Sequence, residues 1–171
     1  MEKLHSDDYS VLSQFEKLEV LDVSAVDLSA EDYERLAGQL GKDVKIIWSV
    51  PVKDEPVKSN ATELNLSGDM TEEVIDSVKY FKDMNTLNVS GVVISEDLKT
   101  LFAAAKEVNP DVAIRGNITV YGADYDISSD TLLLNDKKVK SLDNVHLAIE
   151  LFPGIKTIEM CGCGVSNEKM Q

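Results

Sequence analysis

Apolar residues return to the same slots three times along this chain. Leu18, Leu21 and Val23 are spaced as Met84, Leu87 and Val89, and again as Ile155, Ile158 and Met160. A phenylalanine precedes each set: Phe15, Phe81 and Phe152. From Leu18 to Met84 the offset is 66 residues, and from Met84 to Ile155 it is 71. The segments align without a gap, and a recurring apolar pattern of this kind marks a repeat architecture. Alternation within each segment predicts a strand, at 19–23, at 85–89 and in the third copy.

Helical spacing predicts the elements between. A helix is expected over 30–40, with Tyr33, Leu36 and Leu40 inward, Ser29 in a capping box and Gly41 at its C-cap. A second spans 72–81 behind Thr71, burying Val74, Ile75, Val78 and Phe81. A third spans 96–108 behind Ser95, lined by Leu98, Leu101, Phe102 and Ala105 and stopped by Pro110. A fourth spans 142–152, with Val145, Ile149 and Phe152 inward, and a short one is expected over 7–15. Further strands are expected at 43–52, returning as a hairpin through 57–60, and at 61–68. Three more follow: 112–121, a return arm through Tyr125 and Ile127, and 131–134. Asp43 to Asp111 and Leu64 to Leu132 share an offset of 68. One unit is therefore strand–helix–strand–hairpin–strand–helix. The third copy ends at Ser166, a helix N-cap without its helix, so residues 1–171 read as one repeat domain and a fragment of a longer array.

A lone strand–helix unit cannot bury its apolar stripe, so stacking predicts an α/β solenoid: a parallel sheet, helices on one side, and inserted β-hairpins. The residues between the core positions would then face outward together. The binding candidates on that face are Glu19, Asp22, Glu63, Asn65, Asn85, Asn88, Lys156 and Glu159. A merely solvated face is the competing reading.

The motif Leu18-x-x-Leu21-x-Val23 and its two echoes resemble the strand segment of leucine-rich repeats. The third copy continues through Cys163 and Val165 in the fuller form of that motif, while Val26 and Val92 stand where the family has Asn or Cys. The strand Ile46-Ile47-Trp48-Ser49-Val50 before a hairpin, and the ending Phe152-Pro153-Gly154-Ile155-Lys156 … Met160-Cys161-Gly162-Cys163-Gly164, resemble leucine-rich-repeat segments of large surface proteins from anaerobic Gram-positive bacteria. That resemblance implies a binding or scaffolding role and an extracellular or cell-surface location. A unit of about 68 residues with a hairpin departs from the ordinary repeat of about 20–29.

Composition narrows the partners. Hydrophobic residues make up 43% and charged residues 28%, the balance of a folded domain rather than a disordered one. With 17 Lys+Arg against 31 Asp+Glu, the formal net charge of -14 speaks against a nucleic-acid or anionic membrane partner. No run reaches the ~20 apolar residues of a membrane span, and the first residues lack the basic and apolar regions of a signal peptide.

The candidate chemistry is sparse. Cys161 and Cys163 are too close to frame a fold, and with only His5 and His146 to add they do not make a zinc set. Asp124, Asp126 and Asp130 share a loop, but Ser129 and Asn135 stand where a calcium loop needs Gly and Glu. Three glycosylation-like triplets begin at Asn60, Asn88 and Asn117 and lie in or beside strands. Trp48, Tyr121 and Tyr125 suggest either hairpin packing or an aromatic patch. No catalytic residue, metal or cofactor is indicated. The expected function is a non-enzymatic protein-binding or scaffolding module of a larger exported protein. An architectural spacer is the first alternative and an enzyme of unknown class the second.

Overall fold

A computed structural model describes residues 9, 11–12, 14–40, 42–53 and 55–164. Residues 7, 8, 10 and 13 of the expected helix over 7–15 fall outside these residues, as do His5, Gly41, Val165 and Ser166. The elements run β1 (Val20–Asp22), α1 (Ala30–Gln39), β2 (Lys45–Ile47), β3 (Ser49–Val52), β4 (Glu55–Lys58), β5 (Glu63–Ser67) and α2 (Glu72–Ser77). They continue with β6 (Thr86–Val93), α3 (Glu96–Val108), β7 (Ala113–Val120), β8 (Ala123–Asp126), β9 (Thr131–Leu133), α4 (Asp143–Leu151) and β10 (Thr157–Glu159).

Three helices begin as their sequences dictate. The side chains of Ser29, Thr71 and Ser95 accept from the N–H three residues on, and each first turn carries two acidic residues that favour the positive end of the helix dipole. Each helix links parallel strands that pair directly: β1 with β2, β5 with β6, β6 with β7, and β9 with β10. Two antiparallel hairpins, β3–β4 and β7–β8, interrupt that pattern.

The solenoid expectation is overturned. The described strands divide into a four-stranded sheet of order β5-β6-β7-β8 and three two-stranded sheets, β1-β2, β3-β4 and β10-β9. The three echoed strands β1, β6 and β10 therefore lie in different sheets. What they share is a core. Leu87 and Val89 are fully buried in it, and Leu21, Ile158 and Met160 pack half-buried against it.

The repeat itself persists in the pairing registers. Val20 faces Lys45 as Thr86 faces Ala113, Glu63 faces Thr86 as Thr131 faces Thr157, and Ser49 faces Lys58 as Asn117 faces Asp126. Left-handed backbone recurs at matching points too, at Lys53 and Tyr121, Gly68 and Asp136, Gly91 and Gly162. Strand β6 closes the first unit and opens the second.

Two glycines explain why one hairpin joins a large sheet and the other stays apart. Strand β6 pairs with β7 before and after a bulge at Gly91, whose φ of +63° costs an ordinary residue strain. In the first unit the matching residue is Ala25, and β1 stops at Asp22, whose carboxylate accepts from the Ser24 N–H in a tight turn. Within β7, Gly116 has a φ of +114°, and a Cβ there would lie 1.7 Å from the Val89 carbonyl oxygen. Its counterpart Trp48 breaks the strand between β2 and β3 instead.

Replacing Gly116 with Ala is expected to lower stability by about 3 kcal/mol or more, because backbone must shift. Gly38→Ala, in α1 with open space around it, is expected to stabilise by about 0.5–1 kcal/mol. Urea denaturation of both variants measures the difference.

Candidate functional site

Side-chain alternation sorts the four-stranded sheet into two faces. Leu64, Leu66, Leu87 and Val89 point into the core, which leaves Glu63, Asn65, Asn88, Arg115 and Asn117 on the outer face. Register puts Asn65, Asn88 and Arg115 on one rung. The Asn88 amide donates to Asn65 Oδ1 at 2.8 Å and also to Glu63 Oε1. Both of its hydrogens are thus engaged, which leaves its carbonyl oxygen as an outward acceptor. Beside it, the exposed Arg115 guanidinium has no hydrogen bond or ion pair among the described residues. Asn117 lies opposite Asp126, whose carboxyl is held below the usual carboxylate range by the Ser128 hydroxyl and N–H.

Of the eight candidates, Glu63, Asn65 and Asn88 meet in one cluster. Asn85, exposed just before β6, accepts from the Thr86 hydroxyl instead. Asp22 belongs to the separate β1–β2 sheet, and Glu19 lies just before β1. Asp22 is pushed down by the Ser24 hydroxyl and N–H. Lys156 and Glu159 lie at β10, where Glu159 accepts from Asn135 Nδ2 at 3.1 Å. Arg115 and Asn117 were missed, although their alternation within 112–121 marks them as outward positions.

A cleft of about 630 Å³ opens between the β3–β4 hairpin and α2. Val50, Val74 and Tyr80 give it apolar lining, and Lys53, Asp76 and Lys79 add charge. Behind Tyr80 stands an aromatic trio. Trp48 stacks on Tyr33 at 4.5 Å between centroids and meets Tyr80 edge-on at 5.1 Å. Trp48 is 0% exposed, so it is core and does not form a surface patch with Tyr121 and Tyr125. Those two tyrosines instead tie their hairpin down, donating to the carbonyls of Ser141 and Leu133. The Tyr80 hydroxyl donates to Glu34 at 2.9 Å, and Lys79 lies 4.8 Å from the Tyr80 ring centroid. Burial, more than any charge, raises the titration of Tyr33 and Tyr80.

The other candidates resolve locally. Asp124, Asp126 and Asp130 each accept a hydroxyl, from Thr119, Ser128 and Thr131. Among the described residues no group of three or more His, Cys, Asp or Glu could hold a metal ion. Both cysteines are free thiols; Cys161 is exposed, and Cys163 is buried with its thiol donating to the Met160 carbonyl. No described helix is long and apolar enough to cross a membrane. Comparison with protein-family models, curated proteins and solved structures finds no match to this chain.

Trp48 is the single tryptophan, so its emission reads this trio directly. Tyr80→Ala is expected to red-shift that emission and cost about 2 kcal/mol, whereas Tyr80→Phe costs about 1 kcal/mol or less and leaves the spectrum in place. With tyrosine pKa values raised on folding, the stabilisation is whole below the unfolded tyrosine value. It is lost as pH rises through the folded values. Phenolate absorbance is expected to rise later in folded than in urea-unfolded protein; coincident titrations would contradict the burial argument.

Proposed function

We propose that this chain is a non-enzymatic binding or scaffolding module that meets another protein through the outer face of the four-stranded sheet. The observation that carries this reading is the rung Asn65–Asn88–Arg115. Its amides are fixed by each other and by Glu63, and its guanidinium is left free to bind. A held acceptor beside an unpaired arginine offers directional contacts at little ordering cost, and arginine is a frequent anchor at interfaces. A carboxylate on the partner complements Arg115. The two described carboxyls with a resolved shift, Asp22 and Asp126, both move down and so remain ionised at neutral pH. Neither is suited to general acid work there.

An architectural spacer is the second reading. It is favoured by the scarcity of large exposed apolar residues on this face, where Val93 stands out alone among the described residues.

Arg115→Glu is expected to weaken capture of a bound partner about tenfold or more, with the unfolding free energy held within about 0.5 kcal/mol. Lys138→Glu, exposed elsewhere, serves as the control. Equal capture by wild type, Arg115→Glu and Lys138→Glu leaves the spacer reading in place.

A further inference from the structure

The two ends of the described fold are each half of what β6 has whole. Strand β6 is paired on one edge by β5 and on the other by β7. Strand β1 has the β7-type neighbour, β2, and among the described residues no ladder on its other edge. Strand β10 has the β5-type neighbour, β9, and likewise nothing opposite.

The core is unfinished at the same two places. Met84, Leu87 and Val89 are fully buried, whereas their counterparts Ile155, Ile158 and Met160 are half-buried. Val78 is 0% exposed beside α3; its counterpart on α4, Ile149, was expected inward and is 48% exposed. At the other end Phe15 is 59% exposed where Phe81 is 0%. Ile149, exposed at a position buried in the equivalent unit, marks a surface that a matching element would cover, while the exposed Phe15 leaves the segment before β1 held less firmly than the one before β6.

We propose that this chain assembles head to tail with copies of itself, β10 of one copy entering the slot that β1 holds on β2 of the next. The occupant is identified by the repeat. Phe152, Ile155, Ile158 and Met160 carry the same apolar spacing as Phe15, Leu18, Leu21 and Val23, so either segment fits against β2. In the joined state β10 lies between its own β9 and the neighbour's β2, as β6 lies between β5 and β7. Thr157 then faces Lys45 of the neighbouring copy, the place Val20 holds within one molecule. Ile149 comes against the neighbour's α1, as Val78 lies against α3. Leaving the slot exposes Leu18, Leu21 and Val23; entering it covers Ile149, Ile155, Ile158 and Met160. The two sets are close in apolar content, so protein concentration decides the balance. The contact is heterologous and leaves a free edge at each end, so it builds chains or rings rather than a symmetric dimer. It uses strand edges, not the outer face of the sheet, and stands independently of the binding reading above.

The test is a disulfide lock and a disulfide trap in the full chain, both with Cys161→Ser, because Cys163 is buried. Neighbouring strands lie about 4.8 Å apart, within disulfide reach. Val20→Cys with Lys45→Cys pins β1 in its slot. Thr157→Cys protein mixed with Lys45→Cys protein traps the proposed contact. The expected results are light-scattering mass that grows with concentration and a mixed Thr157→Cys/Lys45→Cys disulfide dimer. In the oxidised lock the growth is lost, and reduction restores it. A monomer at every concentration, undiminished growth in the oxidised lock, or Thr157→Cys pairing mainly with itself would each overturn the proposal.

Discussion

Strand β6 is hydrogen-bonded along both edges while Leu87, Val89 and Val92 run from it into the core. That double pairing is the constraint on which the architecture rests. Its second edge exists only because the β7 backbone comes within contact of Val89, an approach that Gly116 permits and a side chain would block. Past that point the ladder continues because Gly91 absorbs the extra residue of the bulge. Helices α2 and α3 then pack side by side, with α3 against β6. Remove either glycine's freedom and β7, with the hairpin it leads into, loses its place in the sheet.

The same duplication built without those glycines gives a different result in the first unit. Ala25 and Trp48 stand at the matching positions, β1 turns away after Asp22, and the hairpin β3–β4 becomes a sheet of its own. Trp48 fills the space against Tyr33 and Tyr80, and its backbone still pairs with Ser59 on both N–H and carbonyl. In the second unit the Gly116 carbonyl accepts from Ile127 at the equivalent point, so the hairpin's root is common to both units and only its attachment to the sheet differs.

Local structure was legible in the sequence to the extent that it depends on local signals. Ser29, Thr71 and Ser95 start helices where capping chemistry says they should, and the apolar slots of β6 are buried. Sheet membership was not legible. An apolar period reports which residues face inward but not whether two strands share hydrogen bonds. That depended on single residues, Gly91 against Ala25 and Gly116 against Trp48, whose effect appears only when the backbone is followed in space. The binding candidates suffered from the same gap. Eight residues read as one outward row are spread over strands β1, β5, β6 and β10 and the residues that lead into them, and only Glu63, Asn65 and Asn88 meet. Ile149 illustrates the remaining limit. Helical spacing marked it as inward, and it is outward because nothing among the described residues stands where α3 stands beside Val78.

The outer faces of the paired strands separate the candidate site from the scaffold that carries it. Inward rungs are apolar in every sheet of parallel strands: Leu21 with Ile46, Leu64 with Leu87 and Ile114, Leu132 with Ile158. The outward rungs at the next position differ throughout. They read Asp22 with Ile47, Asn65 with Asn88 and Arg115, and Leu133 with Glu159. If the outer face served only to stay wet, any polar residue would do on each rung, and an exposed Leu133 would have no advantage over Asn65. The inner face must be apolar for the fold to exist, so its uniformity carries no information about function. Among the described residues, a hydrogen-bonded amide pair beside an unpaired guanidinium occurs on one rung, in the one sheet wide enough to hold three such positions abreast. That is why the proposed contact is placed on the four-stranded sheet rather than on the repeat as a whole.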